Sequence, residues 1–326
     1  MTLPTDAAPG DDLTPDMRRF QRWLAAAYAK YPALDGMSLP EARLIAERVR
    51  APLAQGGPMM VRRHDLQMAT AHGPVRLRIH TPTEAARHPA LLYLHGGGWV
   101  FFSIDTHDRL MRELAARSGR VVIGVDYARA PEAPCPVARE QTVAVWRWAR
   151  DNAATLHVDP ERIALGGDSA GANLAITAAL ALRAAGERPD ALLLNYGVFG
   201  DDDTTASYTR FDGPAYNLGR DEMRGFWDRW AGPSRPIADP LAVPLRADLA
   251  DLASLPRCCL VVPECDVLRD DSLLLAERLI AAGVPVDVQR HPGAVHSFLE
   301  AVSMSETAER GLALSAAWLR GEDASG

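Results

Sequence analysis

Ser169 stands at the centre of Gly167-Asp168-Ser169-Ala170-Gly171, directly after the apolar stretch Arg162-Ile163-Ala164-Leu165-Gly166 and ahead of the small-residue run from Ala172 to Ala185. Strand, tight turn and helix in that order, with a serine at the apex, make a nucleophile elbow. The turn strains the serine backbone, and the flanking glycines let strand and helix cross closely. The same five residues also suit an ordinary strand-to-helix loop in which Ser169 caps the helix. What separates the two readings is whether the chain supplies the partners that an acyl-transfer serine needs: a base, an acid to orient it, and N–H donors aimed at the developing oxyanion.

Each partner has a candidate in the chain order that an elbow demands, serine then acid then histidine. Asp266 follows the apolar run Cys258-Cys259-Leu260-Val261-Val262-Pro263, and His296 follows Val284–Gln289 by a short loop containing Pro292 and Gly293. Both positions lie beyond strand carboxyl ends, where open parallel sheets place their ligands. Ala170, at the N-terminus of the following helix, offers one oxyanion donor. Gly97 and Gly98 offer others, because Leu91-Leu92-Tyr93-Leu94 ends in His95-Gly96-Gly97-Gly98-Trp99. Successive glycines let backbone N–H groups reach a substrate oxygen with no side chain between. A flexible linker would not sit between an apolar strand and Trp99-Val100-Phe101-Phe102.

Those motifs together resemble the hormone-sensitive-lipase-like group (family IV) of bacterial carboxylesterases within the α/β-hydrolase fold. The likeness extends to Asp126-Tyr127-Ala128-Arg129-Ala130-Pro131-Glu132, similar to the group's D-Y-x-x-A-P-E segment, and to Glu264-Cys265-Asp266-Val267-Leu268-Arg269-Asp270, similar to its E-x-D-P-L-x-D loop. His296-Ser297-Phe298 matches its H-x-F ending. Three departures stand out: Val267 in place of proline, Gly197 after Tyr196 where proline is common, and Phe101-Phe102 in place of smaller residues. None removes a catalytic group. The resemblance implies a serine carboxylesterase acting on short to medium acyl esters through Ser169, His296 and Asp266. The substrate pocket would be bordered by Trp99, Phe101, Phe102, Phe211 and Tyr216. It also implies a homodimer. Acyl transfer to another acceptor, a dehydratase or lyase step, or small-molecule binding are the alternatives, and retention of all three residues speaks against pure binding.

The elements needed to position these groups are legible as alternating strand and helix patterns. Strand-like runs occur at Val75–Ile79, Leu91–Leu94, Val121–Val125, Ile163–Leu165, Ala191–Asn195, Leu260–Val262 and Val284–Gln289. Helical periodicity occupies Val137 to Ala153 and Asp271 to Ala282. The alternation predicts an α/β fold, a mostly parallel central sheet with helices on both faces. Arg76 and Arg78 alternate with apolar residues in Val75–Ile79, which suits an edge strand with its arginines outward. Residues 1 to about 55 and about 200 to 245 fall outside the alternation. In the resembled family such segments form a cap over the active site, so the chain is read as a single domain, 1–326, with a helical cap.

Composition bounds the rest. With 326 residues, 48% of them hydrophobic, the chain can bury one large core without requiring a second domain. A net charge of −7, with no basic cluster interleaved with aromatics, argues against nucleic acid. Lysine occurs only at Lys30. Met1 to Asp16 lacks the order of a secretion signal, and no apolar stretch is long enough to span a bilayer, so a cytoplasmic protein with no membrane insertion is expected. Cys135, Cys258, Cys259 and Cys265 read as packing thiols. Asp201-Asp202-Asp203 reads as a solvated loop, His291 and His296 lack the helical spacing of a zinc pair, and no phosphate-binding loop occurs. No metal and no cofactor is expected. His95 is read as fixing the glycine loop, and Asp168 as orienting local backbone.

Overall fold

Leu91–Leu94, Val121–Ile123 and Leu192–Leu194 are apolar at every position, and such runs are stable as strands where both faces of a sheet are covered. In the computed structural model, which describes residues 10–322 apart from Asp35 and Arg235, they form the centre of one eight-stranded sheet. Its strands are β1 (Arg62–Thr70), β2 (Gly73–Thr81), β3 (His88–Leu94), β4 (Val121–Asp126), β5 (Val158–Asp168), β6 (Ala191–Asn195), β7 (Arg257–Cys265) and β8 (Val286–Val295). The spatial order is β1-β2-β4-β3-β5-β6-β7-β8. β1 and β2 are antiparallel to each other and β2 is antiparallel to β4, whereas β4, β3 and β5 to β8 are parallel.

The helix Asp108–Ser118 packs against Glu306–Arg320, and Val137–Asp151 against Ala170–Ala184, so the sheet is covered in two groups. Ala170–Ala184 is buried at nearly every position, and its alanines allow that close approach. Carboxyl ends of β3, β5, β7 and β8 meet at one rim, which therefore receives the glycine loop, the elbow, Asp266 and His296 together.

Two expectations about the sheet need correction. Val75–Ile79 is not an edge: it lies within β2, between β4 and a strand that the sequence pattern did not reveal, β1. β1 reads Arg62-Arg63-His64-Asp65-Leu66-Gln67-Met68-Ala69-Thr70 and is exposed along most of its length, with only Leu66 and Met68 as apolar side chains turned to the core, too short a period to stand out. Arg78 is accordingly not outward. It is buried, and its guanidinium meets Asp65 at 2.7 Å, Asp105 at 2.8 Å and Asp108 at 3.1 Å. The second correction concerns β8, which begins later than Val284 and continues through Pro292 and Gly293 to Val295. His296 thus leaves a strand end directly rather than a loop.

Both segments outside the alternation carry helices and touch one another within the described residues, and residues 1–9 of the expected cap lie outside them. Pro15–Tyr28 and Leu39–Arg50 precede the sheet, while Ala206–Phe211 and Arg220–Ala231 interrupt it between β6 and β7. Asp12 takes a hydrogen bond from the Tyr216 hydroxyl at 3.1 Å and an ion pair from Arg210 at 3.4 Å, and Gln21 Nε2 donates to the Pro214 carbonyl at 2.8 Å. Asp16, which caps the Glu306–Arg320 helix by accepting from Ser305 Oγ at 2.6 Å and Thr307 N at 3.0 Å, ties the same N-terminal helix to that last helix.

Candidate active site

Close backbone approach fixes the elbow. A Cβ on Gly171 would lie 1.9 Å from the Leu94 carbonyl oxygen, and one on Gly167 2.4 Å from it, so only glycine permits β3, β5 and the following helix to meet there. Ser169 at the apex has φ 55° and ψ −120°, a conformation that L-residues rarely adopt and that costs on the order of 1–3 kcal/mol. Its own N–H is used, donating to the Asn195 carbonyl at 2.9 Å, which pins the turn against β6.

His296 Nε2 lies 3.0 Å from Ser169 Oγ, and His296 Nδ1 lies 2.7 Å from Asp266 Oδ2. Oδ1 of Asp266 accepts the Leu268 N–H at 2.9 Å, so the carboxylate is held from both sides. All three side chains are buried. The ring of Tyr196 stands edge-on to the imidazole at 5.2 Å and limits its rotation. The geometry is that of a proton relay: the imidazole can take the serine proton on one nitrogen while the carboxylate fixes the tautomer through the other.

The glycine loop is braced from behind. Tyr127 donates its hydroxyl to the His95 carbonyl at 2.8 Å and stacks on the His95 ring at 4.3 Å. His95 Nδ1 contacts the Gly96 carbonyl at 2.7 Å, and burial pushes this imidazole down to about 3, so it stays neutral. Asp168 accepts from the Tyr93 hydroxyl at 2.9 Å and pairs with His107 Nε2 at 3.2 Å. Burial opposes charge on both partners, yet their mutual attraction outweighs it, raising His107 and lowering Asp168. Asp168 thus joins β3, β5 and the loop after Trp99, a longer reach than the local role expected of it.

A cavity of about 600 Å³ opens over Ser169 and is bordered by Gly97, Gly98 and His296. Phe101 and Phe102 line it. Trp99, Phe211 and Tyr216 do not. Trp99 is fully buried because its ring stacks on Trp230 at 4.1 Å and meets Trp227 at 4.8 Å, anchoring the glycine loop to the helix Arg220–Ala231. Phe211 packs on Tyr216 at 5.2 Å beneath Arg269, and Tyr216 turns its hydroxyl to Gly10 N and Asp12. The aromatic side chain from this region that does reach the cavity is Phe226, accompanied by Asn217 and Leu218, while Leu24, Tyr28 and Arg50 enter from the N-terminal helices. Phe226 is the i+3 neighbour of Met223, on the side of the helix that buries Met223, Trp227 and Trp230, so periodicity gave no sign of its exposure.

Asp201 is not solvated as expected: its side chain is buried, pairing with Arg246 and capping Ile237 N–H at 2.7 Å, because the loop folds under the Pro-spaced stretch. Asp203 pairs with Arg224 at 2.5 Å. His107, Asp168 and Glu300 bring ligand atoms within 4.8 Å of one another. Tyr93, His107 and Arg50 already occupy the two carboxylates, so the group is a closed ion-pair network rather than an open cation site. A larger cleft of about 790 Å³ lies at the opposite end of the sheet. It holds no nucleophile, and its arginines Arg120 and Arg257 bond the Leu319 and Trp318 carbonyls at the end of the last helix. Among the described residues no helix is long and apolar enough to cross a membrane.

A family model described as the alpha/beta hydrolase fold matches residues 91–300. The chain is 34% identical to a carboxylesterase, NlhH, of Mycobacterium tuberculosis over 96% of this chain and 98% of that one. It is 36% identical to an acetyl esterase of Salmonella paratyphi A over 74% of this chain and 75% of that one. Among solved structures, a hyperthermophilic esterase from the archaeon Pyrobaculum calidifontis superposes with a TM-score of 0.86 at 32% identity, covering 95% of this chain and 98% of that one.

Proposed function

The chain belongs to the α/β-hydrolase family and is a carboxylesterase, and we propose that it hydrolyses short to medium acyl esters through an acyl-enzyme on Ser169. The observation that carries this assignment is the relay of 3.0 Å and 2.7 Å from Ser169 through His296 to Asp266 at the floor of a cavity. His296 accepts the serine proton as Oγ attacks the ester carbonyl, and Asp266 stabilises the imidazolium. The N–H groups of Gly97, Gly98 and Ala170 receive the oxyanion, each such donor worth roughly 3 kcal/mol in the barrier. His296 then protonates the leaving alcohol and activates water to release the acid.

Residues 10 to about 55 and about 200 to 245 act as the cap in this reading. Support comes from Leu24, Tyr28, Leu218 and Phe226, which border the cavity from those two segments. Phe101 and Phe102 set the accessible chain length from below. The substrate is a small molecule, and the protein works in the cytoplasm. A homodimer belongs to the same reading, supported by the terminal place of β8 in the sheet; light scattering at the mass of one chain would remove it.

The test is turnover of p-nitrophenyl esters of graded chain length by the wild type and Ser169→Ala. The account expects a maximum at short to medium acyl chains and loss of essentially all turnover in the variant. Undiminished turnover in Ser169→Ala would end the assignment.

A further inference from the structure

We infer that the cavity selects esters carrying a second, uncharged acceptor oxygen along the acyl or alcohol chain, recognised by the Arg50 guanidinium. This deepens the esterase reading above and rests on it. The cavity wall is otherwise largely apolar, from Leu24, Ala25, Leu34, Phe101, Phe102 and Phe226. Arg50 is an exception in kind: a cation, 7% exposed, at the end of the helix Leu39–Arg50 and bordering the same cavity as Ser169.

Its hydrogen bonding is incomplete. One terminal nitrogen donates to Glu300 Oε2 at 2.8 Å, the Tyr28 hydroxyl lies beside the guanidinium, and the guanidinium carbon sits 4.9 Å from the centroid of the Phe102 ring. Nε is buried with no partner and no surface open to the cavity, so a ligand meets the guanidinium at its terminal nitrogens. A guanidinium carries five N–H donors, and a buried donor left unmet is costly. A purely structural tie between the N-terminal helix and the segment after His296 would need only the Glu300 bond. Sites that hold unmet polar groups against a substrate discriminate strongly in favour of ligands that satisfy them.

The same surroundings decide the charge of the ligand. Glu300 balances Arg50 at contact distance, and the Asp168 carboxylate and His107 lie within 4.8 Å of Glu300 by their ligand atoms. A carboxylate entering here would meet two carboxylates already present. A ketone, ether or ester oxygen asks only for a donor, which the Arg50 N–H groups and the Tyr28 O–H supply.

Matched pairs of esters test this: p-nitrophenyl pentanoate against p-nitrophenyl 4-oxopentanoate for the acyl side, and pentyl acetate against 2-ethoxyethyl acetate for the alcohol side. The readout is the ratio of kcat/KM, oxygenated over hydrocarbon, in the wild type divided by that in Arg50→Met/Glu300→Gln, which removes the cation without stranding a buried carboxylate. Intrinsic reactivity cancels in this quotient. The inference expects about tenfold or more in at least one pair; a quotient near one in both overturns it. Should the double variant fail to fold, Arg50→Lys serves, since its ammonium engages Glu300 but loses the planar fork. The ratio is then expected to fall by about threefold or more, and an unchanged ratio overturns the inference. A gain confined to the p-nitrophenyl monoester of succinic acid would overturn the uncharged class. Wild type inactive on every ester would instead sink the esterase reading itself.

Discussion

Gly98→Ala is a demanding test of how the oxyanion donors are held. Gly98 has φ +59°, and a Cβ there would stand 2.3 Å, 2.4 Å and 2.6 Å from three ring carbons of Phe226. The left-handed backbone costs an alanine about 1–2 kcal/mol, and overpacking of this kind typically adds about 1–3 kcal/mol. The chain can relieve both by rotating the 97–98 peptide unit, which takes its N–H off the oxyanion. Losing one such donor lowers kcat on the order of 10²–10³-fold, about 3–4 kcal/mol. KM should move little, because the donors act on the transition state. Adding Phe226→Ala removes the three atoms that stand nearest to the methyl. The double variant should therefore regain at least about tenfold in kcat, the steric share, while the share due to positive φ persists. Steady-state kinetics with p-nitrophenyl butyrate, alongside thermal melts, gives the answer. A folded Gly98→Ala protein with kcat within about threefold of wild type would refute both the donor role and the rigidity of the loop.

Other expectations follow from the same geometry. Replacing Phe101 and Phe102 by alanine should move the preferred acyl chain to longer lengths, with about 0.8 kcal/mol or fourfold in kcat/KM per newly buried methylene; an unchanged profile removes their role. Asp266→Asn keeps the shape of the relay but destabilises the imidazolium, and kcat should fall on the order of 10³–10⁴-fold in single-turnover assays; a loss under tenfold would argue that another group orients His296. Burial pushes Asp271 up to about 7, and the Gly200 and Phe199 N–H groups only partly counter it. In the unfolded chain this carboxyl titrates near about 4, so the native state keeps a proton that the unfolded state has lost. Its contribution is complete below about pH 4 and disappears as pH rises through about 7, at most about 4 kcal/mol from roughly 3 × 1.36. Asp271→Asn should flatten that slope in melts at pH 5 and pH 8, and equal slopes in both proteins would count against it.

How far the sequence reaches depends on whether a residue's role is local. Ser169, the Gly96-Gly97-Gly98 run and the residues after β7 and β8 are set by short-range backbone requirements, so their types and order are visible along the chain. The parallel core strands are equally visible, because burial on both faces leaves nothing but apolar residues. β1 escaped because only Leu66 and Met68 mark its apolar period, and Arg78 looked outward because the acids that neutralise it, Asp65, Asp105 and Asp108, lie outside its own strand. The pocket wall was the least legible part. Trp99 and Phe226 are both aromatic and both near the glycine loop, yet one is an anchor stacked on Trp230 and the other faces the cavity. That difference arises from how two helices cross, and sequence spacing does not encode it. Arg50 and Glu300 are 250 residues apart and meet only in the folded chain.

Trapping the acyl-enzyme tests the central claim most directly. Rapid acid quench of the protein with excess p-nitrophenyl butyrate, followed by intact-mass and peptide mass spectrometry, should show one added butyryl group on the peptide containing Ser169. His296→Ala should abolish that adduct on the time scale of the wild-type burst. Turnover with the acyl group on another residue, or a burst that survives Ser169→Ala, would contradict the assignment of Ser169 as the nucleophile.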